Sequence, residues 1–497
     1  MRLAHLEKRD IESRFQYLED HLFNVAMGAK VLTDTIGQGD ILFLLGLYHD
    51  LGKSERLFQK KMKEEPSLHV DHSYAGARYL FQEIEQVFQR SGRNPNDAQL
   101  FREIIAYIIS AHHGVYDVPL PEDMEGAGRY RYSKLFYRIG QPRADYHYEE
   151  DIKAYAKLLE EQLPSFGYQN VDDLVMKSFE NFQTAWAKLC INDDSESAFY
   201  SSCFIRLYLS YLKNADILDT INAYDLVIEP KTTEENSELV QKYFQSVEEV
   251  YAGFGNPTTE LNRIRTALGE RVKHRGATDS SGIYRLNLPT GAGKTNLSLR
   301  YAVHQLTQKG KNRFFYMTPF LSVLEQNAAA IQEIIGKEGV LEHHSNLVRE
   351  QQDATPQNEE YGEETVNSLM TDYLIDTWDS PVVLTTMVQF FQTLFKTKSA
   401  NIRRFSNLAN SVLILDEVQS LPIEVTTLFN LTMNFLSRVM GATVVLCTAT
   451  QPAYDSVSIS HRLLYGGEIA EQADIVTLTA EEQEVFKRTE LRKFDES

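Results

Sequence analysis

Leu288-Pro289-Thr290-Gly291-Ala292-Gly293-Lys294-Thr295 ends a short apolar run and opens a helical stretch. Glycines here let backbone N–H groups close around a triphosphate, Lys294 can reach the outer phosphates, and the Thr295 hydroxyl can ligate Mg²⁺. Leu288 stands where the full G-x-x-x-x-G-K-[ST] pattern has its first glycine. The mechanical partner is Asp416-Glu417-Val418-Gln419, which follows the apolar run Val412-Leu413-Ile414-Leu415. That order puts two carboxylates at the C-terminal end of a buried strand, where Asp416 can hold Mg²⁺ and Glu417 can orient an attacking water. Pro289 to Thr295 with Asp416 and Glu417 therefore predict a site for ATP with Mg²⁺.

The texture around this cradle sets the architecture. Apolar strands are expected at Tyr284–Leu288, Arg313–Met317, Val382–Thr385, Val412–Leu415 and Thr443–Cys447, separated by helical stretches. Strands alternating with helices imply an α/β domain with a parallel, doubly wound sheet. Upstream, residues 1 to about 225 read as helix after helix, with leucine and isoleucine at 3.6-type spacing. A polar, charge-rich stretch beginning Glu229-Pro230-Lys231-Thr232 marks a linker followed by a helix, and Glu260–Arg275 reads as one more helix. The expected division is an all-α domain over 1–228, a linker over 229–258 and the α/β domain over 259–497. Arg349–Glu364, rich in Gln, Glu and Asp, reads as a loop.

The chain has 497 residues, 43% of them hydrophobic, enough for several packed cores. A formal net charge of −20 argues against bulk attraction to nucleic acid, so any such contact must rest on a local patch. Arg129-Tyr130-Arg131-Tyr132-Ser133-Lys134-Leu135-Phe136-Tyr137-Arg138 alternates cations with stacking rings, which suits a single-strand groove or, equally, a solvated loop with buried aromatics. The three cysteines, Cys190, Cys203 and Cys447, form neither a disulfide framework nor a zinc knuckle. No signal-peptide pattern opens the chain, and the longest apolar run, Ile41–Tyr48, is too short to span a bilayer. A cytoplasmic protein with no membrane partner is the expectation.

The helical half carries a second constellation. His21 lies three residues after Leu18 and four before Val25, and His49, followed directly by Asp50, lies four after Leu45. His112 continues Ile104 and Ile108, His113 continues Ile105 and Ile109, and Asp216 continues Leu209 and Leu212. Residues three, four or seven apart share a helix face, so these polar groups are expected to point into the bundle. Burying them unpaired costs several kcal/mol each, and metal coordination is the evident compensation. Mixed imidazole and carboxylate ligands suit Mn²⁺, Fe²⁺, Co²⁺, Ni²⁺ or Zn²⁺. His5, His147, His343 and His344 lack such a setting and read as surface or loop residues, and Arg403-Arg404 reads as a solvated basic pair.

The spacing His21…His49-Asp50…Asp216 resembles the HD phosphohydrolase superfamily. With His72-Ser73-Tyr74-Ala75-Gly76-Ala77 and His112-His113 added, it resembles the HD nuclease domain of the type I CRISPR-associated helicase–nucleases. Those proteins place this domain ahead of a superfamily 2 helicase, the order found here. The resemblance implies two transition metals (Mn, Fe, Co or Ni), one held by His21, His49, Asp50 and Asp216 and one by Asp50, His72, His112 and His113. Asp50 would bridge them, and Lys53 would touch the scissile phosphate. In the second half, now expected to be RecA-like, Thr318-Pro319-Phe320, Thr385-Thr386 and Thr448-Ala449-Thr450 resemble helicase motifs Ia, Ib and III. In the first two, strand-end hydroxyls would meet a DNA backbone.

Against that family, the second RecA-like domain and its arginine fingers are missing before Ser497. The implied activity is a metal-dependent single-strand DNA nuclease joined to an incomplete ATP-dependent 3′-to-5′ helicase motor. It would serve CRISPR interference beside an RNA-guided surveillance complex. An HD-type nucleotide phosphohydrolase, a stand-alone helicase with an inert metal domain, and a docking module for such a complex are the rival readings.

Overall fold

Ile41–Tyr48 has no polar face, and a helix that is apolar all round belongs inside a bundle. The computed structural model buries every residue of it. The structure describes residues 2–7, 14–65, 67–68, 70, 72–117, 134–140, 147–223, 233–344, 373–449, 454, 456, 459–466 and 470–487. Arg129–Ser133, Thr450 and the expected loop Arg349–Glu364 lie outside them.

The chain divides into two compact units, the first made of residues 1–228 with Thr397–Ser406. It opens on an antiparallel hairpin, β1 (Leu3–Glu7) and β2 (Arg14–Tyr17), paired at Leu3↔Tyr17 and Leu6↔Phe15. The all-helical reading overlooked this hairpin, whose strands are too short for period-2 alternation to register. Next come α1 (Leu18–Thr33), α2 (Gly39–Tyr48), α3 (Arg56–Lys63), α4 (Ser73–Arg90) and α5 (Gln99–Ala111). The unit continues with α6 (Lys134–Gly140), α7 (Ala154–Glu160), α8 (Val171–Trp186) and the 30-residue α9 (Asp194–Ala223). Helix α1 packs on α2 and α9, α2 also on α8, and α4 on α5.

The second unit comprises Glu229–Lys396 and Asn407–Ser497. Helices α10 (Thr233–Gly253) and α11 (Glu260–Thr278) precede β3 (Gly282–Asn287) and α12 (Lys294–Lys309). Then follow β4 (Arg313–Thr318), α13 (Leu321–Ile335), β5 (Val340–His343), β6 (Val382–Thr386) and α14 (Met387–Phe395). Last come β7 (Ser411–Asp416), α15 (Thr426–Arg438), β8 (Thr443–Thr448) and α16 (Ala480–Val485). The six strands form one parallel sheet in the order β3-β8-β7-β4-β6-β5, as alternation requires. β5 is a partly exposed edge strand that the apolar-run criterion passed over. Register aligns Asp416 with Cys447 and Asn287 with Thr448, so the strands carrying the cradle and the acidic motif end at one level.

Three expectations change. Most of the stretch read as linker, 229–258, is α10, whose apolar face packs on α12 and α13. His343 and His344 are buried, and His343 Nδ1 accepts a 3.0 Å hydrogen bond from Trp378 Nε1. Arg403 and Arg404 are buried too, in the helix Ser399–Phe405 that belongs to the helical unit. Ser210 Oγ and Asn214 Nδ2 both donate to the Arg403 carbonyl at 2.9 Å, and Arg403 Nε donates to Asn214 Oδ1 at 3.0 Å.

A charged knot ties α10 to α12. Glu248 accepts from Arg300 Nε and Nη2, both at 2.7 Å, and lies 3.0 Å from Lys273 Nζ and His304 Nε2. Burial opposes the Glu248 charge, yet Arg300, His304 and Lys273 bring its pKa down to about 2. A depressed carboxylate contributes stability that is fully present above its ordinary value near 4.5 and disappears as pH falls through about 2. Arg300 keeps Glu270 as a second partner at 3.1 Å, which limits the damage of losing Glu248. Glu248→Ala is therefore expected to cost about 2–3 kcal/mol, measured by urea unfolding at pH 7. The loss should shrink on titration from pH 5 to pH 2.

Candidate functional site

Most inward polar groups of the helical unit sit near the end of an apolar helix, while Asp216 lies within α9. His21 lies one turn into α1, His49 and Asp50 directly follow α2, His72 caps the N-terminus of α4, and His112 directly follows α5. His21, His49, Asp50 and His112 are at most 2% exposed. Asp50 Oδ2 lies 3.4 Å from Nε2 of both His21 and His49, and 2.7 Å from Lys53 Nζ. Its Oδ1 lies 3.4 Å from His72 Nε2 and 3.3 Å from His112 Nε2. Asp216 Oδ1 closes the first group, 3.5 Å from His21 Nε2 and 3.6 Å from His49 Nε2. His113 Nε2 closes the second, 2.8 Å from His72 Nε2. The ridge argument placed His113 inside the bundle; it is exposed, at the rim, because α5 has already ended.

The chemistry of this donor set fits metal. Nε2 of His21, His49 and His112 and Oδ1 of Asp50 are buried without a hydrogen-bond partner. In His49 and His112 the other nitrogen, Nδ1, is bonded to the carbonyls of Gly46 (2.8 Å) and Ile109 (2.6 Å), leaving Nε2 to face inward. Two ligands held about 2.1 Å from one tetrahedral ion stand about 3.4 Å apart, close to the 3.3–3.6 Å separations between these Nε2 atoms and the Asp50 and Asp216 oxygens. The atoms cluster as His21, His49, Asp50 and Asp216, and as Asp50, His72, His112 and His113.

Electrostatics point the same way. Burial opposes the Asp50 charge, but Lys53 and His49 hold its pKa well below the usual carboxylate range. Burial pushes His112 down, favouring its neutral form. Burial also works against a proton on His21, yet Asp219 and Asp50 raise its pKa to about 9, so proton and cation would compete for it.

Two neighbours escaped the sequence reading. His5, read as a surface residue, lies on β1 with its ring centroid 5.0 Å from that of His21. Asp219 Oδ2 is 2.6 Å from His21 Nδ1; its only sequence signal is that it follows Asp216 by three residues, on the same face of α9. A third cluster, Glu55, His147 and Asp151, is already neutralised: Glu55 caps α3, and Asp151 bonds Arg2 and Arg56. Of the basic–aromatic stretch, Lys134–Arg138 falls in α6, where the Arg138 guanidinium lies 4.4 Å from the Tyr116 ring centroid.

In the sheet unit, Gly291 and Gly293 adopt φ of 89° and 88°, the left-handed region that lets the cradle turn into α12. Lys294 Nζ donates to Glu417 Oε1 at 2.9 Å, and Thr295 Oγ1 to Asn327 Oδ1 at 3.1 Å. Tyr316 donates to Asp416 Oδ2 at 2.8 Å. Gln419 bridges Glu417 and Thr448, joining the strand end of β8 to the acidic motif. A cavity of about 320 Å³ opens beside the cradle, between Ala292, Gly293 and Asn296 on one side and Tyr251, Phe254 and Arg265 on the other. Thr318 and Thr385, expected to meet DNA, are buried, and their hydroxyls donate to the carbonyls of Phe320 (3.1 Å) and His343 (2.7 Å).

Known proteins resemble this chain in sequence and in fold. An HD domain family model matches residues 18–161, and a DEAD/DEAH box helicase model matches residues 284–457. The chain is an HD domain followed by a DEAD/DEAH box helicase domain. A CRISPR-associated nuclease/helicase Cas3 of Haloferax volcanii is 29% identical over 225 residues, 39% of this chain and 23% of that protein. The crystal structure of T. fusca Cas3 with ADP aligns at TM-score 0.56 and 16% identity, covering 90% of this chain and 50% of that one. The AMPPNP form gives 0.52 and 18%, with the same coverage. At such identity the structures speak for the fold, and this chain spans about half their length. Among the described residues no helix is long and apolar enough to cross a membrane.

One close approach in the HD domain lies at the site itself. A Cβ on Gly52 would fall 2.0 Å from the His72 carbonyl oxygen, backbone that cannot yield without moving His72 from Asp50. Gly52→Ala is expected to destabilise by about 1–3 kcal/mol and to weaken Mn²⁺ uptake. Thermal melts and calorimetric titration of the purified chain would read both; unchanged uptake would show that the two segments adjust independently.

Proposed function

We propose that the HD domain is a metal-dependent DNA nuclease that hydrolyses phosphodiesters of single-stranded DNA, and that the helicase domain belongs to an ATP-dependent 3′-to-5′ motor feeding it. The reading is that of a CRISPR interference effector working beside an RNA-guided surveillance complex. The observation that carries it is Asp50, one buried carboxylate whose two oxygens each face a separate set of inward imidazoles.

In this reading His21, His49, Asp50 and Asp216 hold one divalent ion and Asp50, His72, His112 and His113 the other, with Mn, Fe, Co or Ni suited to such ligands. The ions would supply Lewis acidity toward the phosphodiester and an acidified water. His72 and His113, nearest the rim, leave that side open to substrate. Lys53, bonded to Asp50, would contact the scissile phosphate. In the helicase domain, an incoming triphosphate would compete for Lys294 and release Glu417 to orient water, while Asp416 and Thr295 hold Mg²⁺.

Purified chain with Mn²⁺ or Ni²⁺ is expected to degrade circular single-stranded DNA, and His49→Ala or Asp50→Ala to slow it by at least about 100-fold. Cleavage that survives both substitutions would overturn the assignment. Hydrolysis of nucleotides or cyclic dinucleotides in place of DNA would favour the phosphohydrolase reading. Lys294→Ala should weaken binding of a fluorescent ATP analogue more than about tenfold while leaving DNA cleavage by the HD domain intact.

A further inference from the structure

Three buried imidazoles turn Nε2 toward the candidate metal positions, and they are held there by different means. His49 and His112 donate from Nδ1 to carbonyls of their own helices, Gly46 and Ile109, a bond supplied by the backbone whatever the neighbouring side chains. His21 has no such arrangement. Its Nδ1 meets Asp219 Oδ2 at 2.6 Å.

Asp219 is itself fixed. Gln16 Nε2, on β2, donates to Oδ2 at 2.8 Å, and Asn24 Nδ2, on α1, donates to Oδ1 at 3.0 Å. Both donors are amides, so neither neutralises the carboxylate. Its charge is left to act on the His21 ring. Asp216, three residues earlier on α9, presents its own carboxylate to His21 Nε2 at 3.5 Å. One face of α9 thus touches both nitrogens of a single imidazole.

We infer that Asp219 is a positioning residue for the first metal site: its carboxylate fixes His21 as the Nδ1–H tautomer and strengthens Nε2 as a donor to the ion. The inference rests on the two-metal reading of Asp50 and deepens it. A carboxylate behind a ligating histidine orients the ring and raises its basicity. The donor set around His72, His112 and His113 has no carboxylate of this kind among the described residues, where His112 Nδ1 leans on a carbonyl and His72 meets His113 through Nε2 itself. The effect of Asp219 should therefore fall on one site and spare the other.

Calorimetric titration of Mn²⁺ into the purified chain tests this without reference to turnover. The wild-type chain should show two binding events. Asp219→Ala should weaken one of them by about 10–100-fold and leave the other within about twofold. Asp219→Asn, which keeps the shape and an acceptor oxygen but loses the charge, should show a smaller loss at the same event; it also serves if the alanine variant folds poorly. Equal affinity in wild type and both variants would overturn the inference, as would equal weakening of both events with a lowered melting temperature, which marks a merely structural role. A wild-type chain that binds no Mn²⁺ would sink the metal reading itself, a result distinct from intact uptake that ignores Asp219.

Discussion

The helical unit is organised around a carboxylate that has no business being buried alone. Asp50 is 1% exposed, and its two oxygens are approached by His21, His49 and Lys53 on one side and by His72 and His112 on the other. Removing a carboxylate from water costs several kcal/mol even after relaxation. Every element that ends at this point brings something to offset that cost: α1 and α2 a histidine each, the turn after α2 a lysine, and α4 and α5 histidines at opposite termini. The apolar ridges of those helices fix where they end, so the core positions the site. Gly52 shows how tight the fit is, since the loop carrying Asp50 runs against the His72 backbone with no room for a methyl group.

Much of this was legible because it was periodic. His21, His49, His112 and Asp216 extend ridges of leucine, isoleucine and valine, and a polar residue on such a ridge has nowhere to go but inward. The parallel sheet was legible for a similar reason: β7 and β8 are buried throughout and read as continuous apolar runs. The cradle and the acidic motif carry their own spacing.

The rest was not legible, because it depends on partners distant in sequence. Arg403 looks like a surface cation until Ser210 and Asn214, nearly two hundred residues earlier, claim its carbonyl and guanidinium. Asp219 follows Leu218 near the end of α9, and only the fold brings Gln16, His21 and Asn24 to it. His5 reaches His21 through a hairpin of five- and four-residue strands with no sequence pattern to announce it. Hydroxyls were misjudged in the other direction. Thr318 and Thr385 end strands as expected, but the sheet consumes their hydroxyls internally, so strand-end placement alone does not make a DNA contact.

The two sites also treat their charges differently. Around Asp50, buried Nε2 atoms converge without satisfying one another, so a cation there would relieve a cost already built into the fold and be linked to its stability. Around Lys294 the groups satisfy each other: the ammonium bonds Glu417, Gln419 ties Glu417 to Thr448, and Tyr316 holds Asp416. Glu417 sits at φ 55°, a left-handed backbone that a non-glycine residue adopts at some cost, and these side-chain bonds oppose its relaxation. In the proposed reading a nucleotide would have to break the Lys294–Glu417 pair to gain the lysine, which would set a threshold for binding. The Asp50 cluster is left unsatisfied by the fold. The Lys294 cluster is satisfied by it, so a ligand there would have to rearrange bonds already made, a property the proposed motor would use.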